Sequence, residues 1–80
     1  MGEASDGRKH LLRGIVAALL ADAFSIPLSH VLRDASCVAR WQGPNDDLLI
    51  LLKDRHGWTA AVALRYLASL RQGLRDAPSS

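Results

Sequence analysis

His30, Asp34 and Cys37 stand at i, i+4 and i+7, so a helical backbone puts them on one face. Histidine beside cysteine can activate a thiol, and the three residue types together can ligate zinc. The spacing argues against both. Two helical turns separate His30 from Cys37, roughly 10 Å along the axis, beyond a direct hydrogen bond. One rigid helix cannot wrap a metal ion, no fourth ligand is evident, and His10 and His56 belong to other segments. The face reads instead as a surface His30–Asp34 pair beside a small, half-buried cysteine. A glycine loop that cradles phosphate, an HExxH pair and a GxSxG elbow are all missing from the sequence. The expectation is a non-enzymatic chain that uses no cofactor, no metal and no small-molecule substrate.

The same stretch carries recognition chemistry. Ser29, Arg33, Ser36 and Arg40 follow i, i+4, i+7 and i+11 and stack into one line on a helix, with His30 and Trp41 in a second line beside it. Arginine outnumbers lysine eight to two, which favours planar, bidentate contacts. Tryptophan among arginines is the composition of interface hot spots. Ser29, His30, Arg33, Ser36, Arg40 and Trp41 are therefore the candidate binding surface, and the partner expected is another protein or a second copy of the chain. Trp41 and Trp58 also flank an apolar segment and could instead pack over its two ends.

Nucleic acid is the alternative partner. Residues 21–24, the break at Ser25-Ile26-Pro27 and residues 28–40 look like a helix-turn-helix, with Ala21, Ile26 and Val31 near its packing positions. In that arrangement the line from Ser29 to Arg40 would meet phosphates or bases. Two residues depart from the pattern: Ser25 stands where glycine is usual, and Asp34 stands where an apolar packing residue is expected and would repel phosphate.

The elements that position these residues read as an all-α domain. Leu48, Leu49, Ile50, Leu51 and Leu52 form a run that is apolar around the whole helical circumference. Asn45 can cap it, Asp46 and Asp47 fill its first turn, and Lys53, Arg55 and His56 fill its last before Gly57. Such a rod must be wrapped, so this third helix should be the most buried. Trp58 can fold back on Leu52 after a left-handed cap at Gly57. An earlier helix presents Leu11, Leu12, Ile15, Val16, Leu19, Leu20 and Ala23 as a wide apolar arc interrupted by Asp22, which should pair with an arginine from elsewhere. Thr59 caps a last helix whose seam is Ala60, Ala63, Leu64, Leu67, Leu70 and Leu74. Four helices are expected, at about 7–24, 27–42, 46–56 and 59–74. They should form a compact irregular or orthogonal bundle within a single domain at 7–75, between a disordered lead at 1–6 and a disordered tail at 76–80.

Eighty residues with 49% hydrophobic content supply a core and leave apolar surface over, which favours self-association or a partner groove. The net charge of +2 is spread along the chain; it permits an anionic partner without demanding one. A single cysteine points to a reducing, intracellular compartment, cytoplasmic or nucleoid or nuclear. Arg8, Lys9 and Arg13 before the apolar residues 15–21 outline a signal peptide, but Glu3 and Asp6 in the basic region argue against secretion. No run approaches a membrane span.

Overall fold

In a computed structural model, residues 12–75 are described and form four helices: α1 (Gly14–Phe24), α2 (Leu28–Arg40), α3 (Asn45–His56) and α4 (Ala60–Arg75). The described residues contain no strand. The architecture is the expected all-α bundle. The expected lead at 1–6, the start of the first helix at 7–11 and the tail at 76–80 lie outside the described residues.

Each break has a local cause. Ser25 ends α1 in the left-handed region at φ 56°, and the N–H of Ile26 then bonds back to the Ala21 carbonyl at 3.0 Å. A residue with a Cβ held there costs roughly 1 kcal/mol, so the turn is enforced from outside the local sequence. Pro27 starts α2 at φ −62°, and the chain bends by 113° between the two helices. Pro44 is the residue that leads into α3; Asn45 is already helical. Its Oδ1, expected to cap α3, accepts a hydrogen bond from Arg71 at 2.7 Å instead and ties the start of α3 to α4. Gly57 closes α3 at φ 68°, and the Trp58 N–H reaches the Lys53 carbonyl at 3.0 Å, completing the left-handed cap. Thr59 Oγ1 accepts from the Val62 N–H at 3.3 Å, as its cap position predicts.

The helix at the centre is α4, not α3. It packs against each of the other three, and Ala63, Tyr66, Leu67, Leu70 and Gly73 are buried. This corrects the expectation that the leucine-rich rod is the most buried element. In α3 only Leu48 and Leu52 are sealed, Leu49 and Leu51 are half-buried, and Ile50 is 54% exposed. The physical reason is supply: α3 packs chiefly on α4, and a chain this short has little material for the far side. The α4 seam is also rotated from the one the leucines suggested. Ala60 and Leu64 are exposed, and Tyr66 and Gly73 lie inside.

Gly73 explains where α1 begins. A Cβ there would stand 2.5 Å from Leu12 Cδ1 and 3.1 Å from Val16 Cγ1. Leu12 is buried against this hydrogen-only patch, and Arg13 is extended, so the helix starts at Gly14 instead of running through residues 12 and 13. Tertiary packing at Leu12 overrides the helical pattern. We expect Gly73→Val to lower stability by about 1–3 kcal/mol in denaturant titration, through overpacking against Leu12 and Val16. An unchanged midpoint would show that the contact is slack.

Candidate functional site

Asp34 is fully buried among apolar neighbours on α2. It lies three residues after Val31 and four before Val38, both buried, so the helix carries it into the core. A bare carboxylate in that position would be costly. Three donors from two other helices meet it. Arg55 Nη1 donates to Oδ1 at 2.5 Å, while His56 Nε2, at 2.7 Å, and the Tyr66 hydroxyl, at 2.6 Å, converge on Oδ2. The cap that ends α3 places Arg55 and His56, and the inward face of α4 places Tyr66. No buried side-chain nitrogen or oxygen among the described residues lacks a partner.

An aromatic shell closes the cluster. Trp58 stacks on the His56 ring at 4.3 Å and 20°, and meets Tyr66 edge-on at 4.9 Å. Phe24, from the end of α1, packs edge-on against Tyr66 at 5.1 Å. His30 approaches His56 at 6.2 Å between ring centroids. The group thus joins the end of α1, the middle of α2, the end of α3 and the middle of α4. The His56 side chain is shut off from solvent at 4% exposed, while the Arg55 side chain stays partly open.

Burial pushes the Asp34 carboxyl up. The hydrogen bonds from Tyr66, His56 and Arg55 outweigh that and hold it below its ordinary value. Burial and the bond to Asp34 push the Tyr66 phenol well above its own. The carboxylate is therefore the charged acceptor and the phenol a neutral donor.

This arrangement corrects the reading of Asp34. It makes no surface pair with His30 and faces no phosphate; it is the interior anchor of three helices. The feature most at odds with a buried helix face is thus its fixed point. Arg55, His56 and Tyr66 were not singled out as its partners. Two signals were available: Asp34 falls inside the stripe of Val31, Ala35 and Val38, and Tyr66 falls among Ala63, Leu67 and Leu70. A carboxylate in one apolar stripe and a phenol in another need each other.

The outward line on α2 sits as the spacing requires. Ser29, Arg33 and Arg40 are exposed, Ser36 is half-buried, and Arg40 Nε bonds back to the Ser36 carbonyl at 3.4 Å. His30 and Trp41 are half-buried and leave this line: His30 turns toward His56, and Trp41 Nε1 donates to the Pro44 carbonyl at 3.0 Å. Trp41 therefore packs over its own loop and the core margin. Trp58 belongs to the aromatic shell; its ring contacts are His56, Tyr66 and Phe24. Ala21 and Ile26 are half-buried against the core and Val31 is buried. Cys37 is a free, half-buried thiol. Among the described residues no group of three or more His, Cys, Asp or Glu side chains is placed to hold a metal ion.

The unexpected surface is on α1. Ile15 is 73% and Leu19 64% exposed, with Ala18 and Ala23 exposed beside them. Asp22 is the only charged residue of α1, and no arginine among the described residues pairs with it. Leu28 and Leu32 are exposed on α2, which packs against α1. Among the described residues no single helix is long and apolar enough to cross a membrane. In comparisons with known proteins, the chain matched no family model, no curated protein and no solved structure.

Two outcomes test the Asp34 anchor. Asp34→Ala leaves three donors without their acceptor and should cost about 3–5 kcal/mol, against about 1–2 for Tyr66→Phe, by chemical denaturation. The pH profile should fall at both ends. Asp34, depressed in the fold, contributes stability above its ordinary value of 3.8 that is lost as pH falls through its folded value. Tyr66, raised in the fold, contributes stability below its ordinary value of 10.0 that is lost as pH rises beyond it. Tyr66→Phe should abolish the alkaline limb and also shrink the acid limb in part, because the phenol is one of the three donors that hold Asp34 down; an alkaline limb that survives the substitution would contradict this assignment.

Proposed function

We propose that this chain is a non-enzymatic helical binding module whose partner is a protein, engaged through the exposed side of α1 and the adjoining outward side of α2. The observation that carries this reading is the exposure of Ile15 and Leu19 on a helix whose only charge is Asp22. Large apolar side chains left together in water mark interaction surfaces. Leu28 and Leu32 extend the apolar surface onto α2, and Arg33 and Arg40 supply the polar rim with bidentate donors. The Asp34 cluster supports the module from inside by fixing the orientation of α2.

A second reading, DNA binding through α2, is favoured by one observation. A three-residue break with a left-handed Ser25 and a 113° bend matches the roughly 90–120° turn of a helix-turn-helix. With Asp34 inside, the outward line of α2 presents two arginines and no acid. The protein reading ranks first because DNA binding leaves Ile15 and Leu19 without a role.

A photo-crosslinking residue placed at position 19 or 32, with one at position 65 as control, separates the readings. Protein adducts at 19 and 32 and none at 65 are expected. Absence of protein adducts at 19 and 32, together with duplex binding that weakens steeply with salt and with Arg33→Ala and Arg40→Ala, would replace this reading with the second.

A further inference from the structure

The outward side of α2 can be given its occupant. We infer that it receives the outward side of α3 from a second copy of this chain. The inference rests on the binding-module reading and names one partner within it.

The argument is complementarity of charge and shape between two faces that are both open within one chain. On α3, Ile50 is 54% exposed. Asp46 and Asp47 stand four and three positions before it and Asp54 four after it, all exposed, within about 100° of the helix circumference. Among the described residues Asp46 and Asp47 have no ion-pair partner, and Asp54 has only Lys53, at 3.8 Å. On α2, Ser29, Leu32, Arg33 and Ser36 occupy i, i+3, i+4 and i+7, the four corners that receive a knob from a facing helix. Leu32 is 45% exposed, and the small serines at two corners leave room for a branched side chain. Arg33 and Arg40 beside this hollow meet no carboxylate among the described residues.

The spacing fits. Arg33 and Arg40 are seven residues apart, as are Asp47 and Asp54. Seven residues rise about 10.5 Å and return to within about 20° of the same line, so each pair forms a straight edge of the same length. With Ile50 seated in the α2 hollow, an antiparallel crossing puts Asp47 and Asp54 on the arginine side, whereas a parallel one turns them toward Leu32. Asp54 then faces Arg33 and Asp47 faces Arg40, each displaced by about 7 Å along the axis toward the start of α2. Side chains lean toward the N-terminus of their own helix, so in opposed helices each acid and its arginine lean together. Exposed ion pairs contribute little on their own, so Ile50 in its hollow holds the contact and the charges fix its direction. The contact joins unlike faces, so each copy carries both halves of it. Ile15 and Leu19 on α1 take no part.

Sedimentation equilibrium across a concentration series tests this with the whole chain. The average mass should rise above that of one chain with concentration. Ile50 is an exposed position, so Ile50→Glu keeps the fold, which circular dichroism checks. It should weaken association at least about tenfold by carrying a charge into the hollow. Arg33→Glu with Arg40→Glu, and Asp47→Arg with Asp54→Arg, should each weaken it about tenfold through like-charge contacts. An equimolar mixture of those two double variants should recover association to within about threefold of wild type, because the reversed faces match each other and so do the untouched ones. Leu19→Glu should leave association unchanged. A wild type that stays monomeric through the millimolar range overturns the inference. So does an association indifferent to Ile50→Glu, one abolished by Leu19→Glu, or a mixture of folded double variants that does not recover. If the chain is monomeric while residue 32 still crosslinks to a protein of different mass, self-pairing fails and the binding module survives. If residues 19 and 32 crosslink to nothing, both fail.

Discussion

A carboxylate removed from water needs hydrogen bonds to replace hydration, and in this molecule those bonds come from separate helices. Asp34 accepts from Arg55 and His56 at the end of α3 and from Tyr66 on α4. No single helix could satisfy it. The acid therefore couples elements that the chain joins only through short breaks, and it does so where the apolar core alone is thin. Little direct packing joins α2 to α3, so much of what links them passes through this one side chain. Breaking it would leave charged and polar groups stranded, which is why a buried network of this kind is strongly destabilised by loss of one member.

The cluster also explains features that local preferences do not. Ser25 holds a left-handed conformation without being glycine. The turn it makes delivers Phe24 against Tyr66 and Trp58, and aromatic packing there offsets the local cost. Gly57 does similar work on the other side: its cap turns the chain so that Trp58 lies over the His56 ring. Both breaks serve one aromatic and ionic assembly.

Much of the architecture was legible in the residues. Four helices, the proline and glycine breaks, and the Thr59 and Gly57 caps follow from rules that act within a few positions. What escaped was set by contacts across the chain. Residues 12 and 13 leave the helical path because Leu12 seats on Gly73, more than sixty residues later. Asn45 gives up its cap role to Arg71. The leucine run from 48 to 52 looked like the centre because every side chain in it is apolar, yet only the i, i+4 pair of Leu48 and Leu52 is fully buried. A sequence states how much a helix could bury but not how much covering the rest of the chain can provide. That shortage leaves Ile50 open and, more tellingly, the outer side of α1. Of the expected binding residues, Ser29, Arg33 and Arg40 lie at the surface and Ser36 is half-buried, whereas His30 turns toward His56 and Trp41 toward the Pro44 carbonyl. Inside and outside are thus connected: the polar anchor sets the helices, and the helices so set leave one apolar side unmatched.

The coupling between Asp34 and Tyr66 is the most direct measure of this account. A double-mutant cycle with Asp34→Ala and Tyr66→Phe should return an interaction energy of about 1–3 kcal/mol, because a buried charged acceptor and its donor share one desolvated contact. Additive effects, with a coupling near zero, would mean that the carboxylate and the phenol act independently and that the bundle does not depend on their meeting.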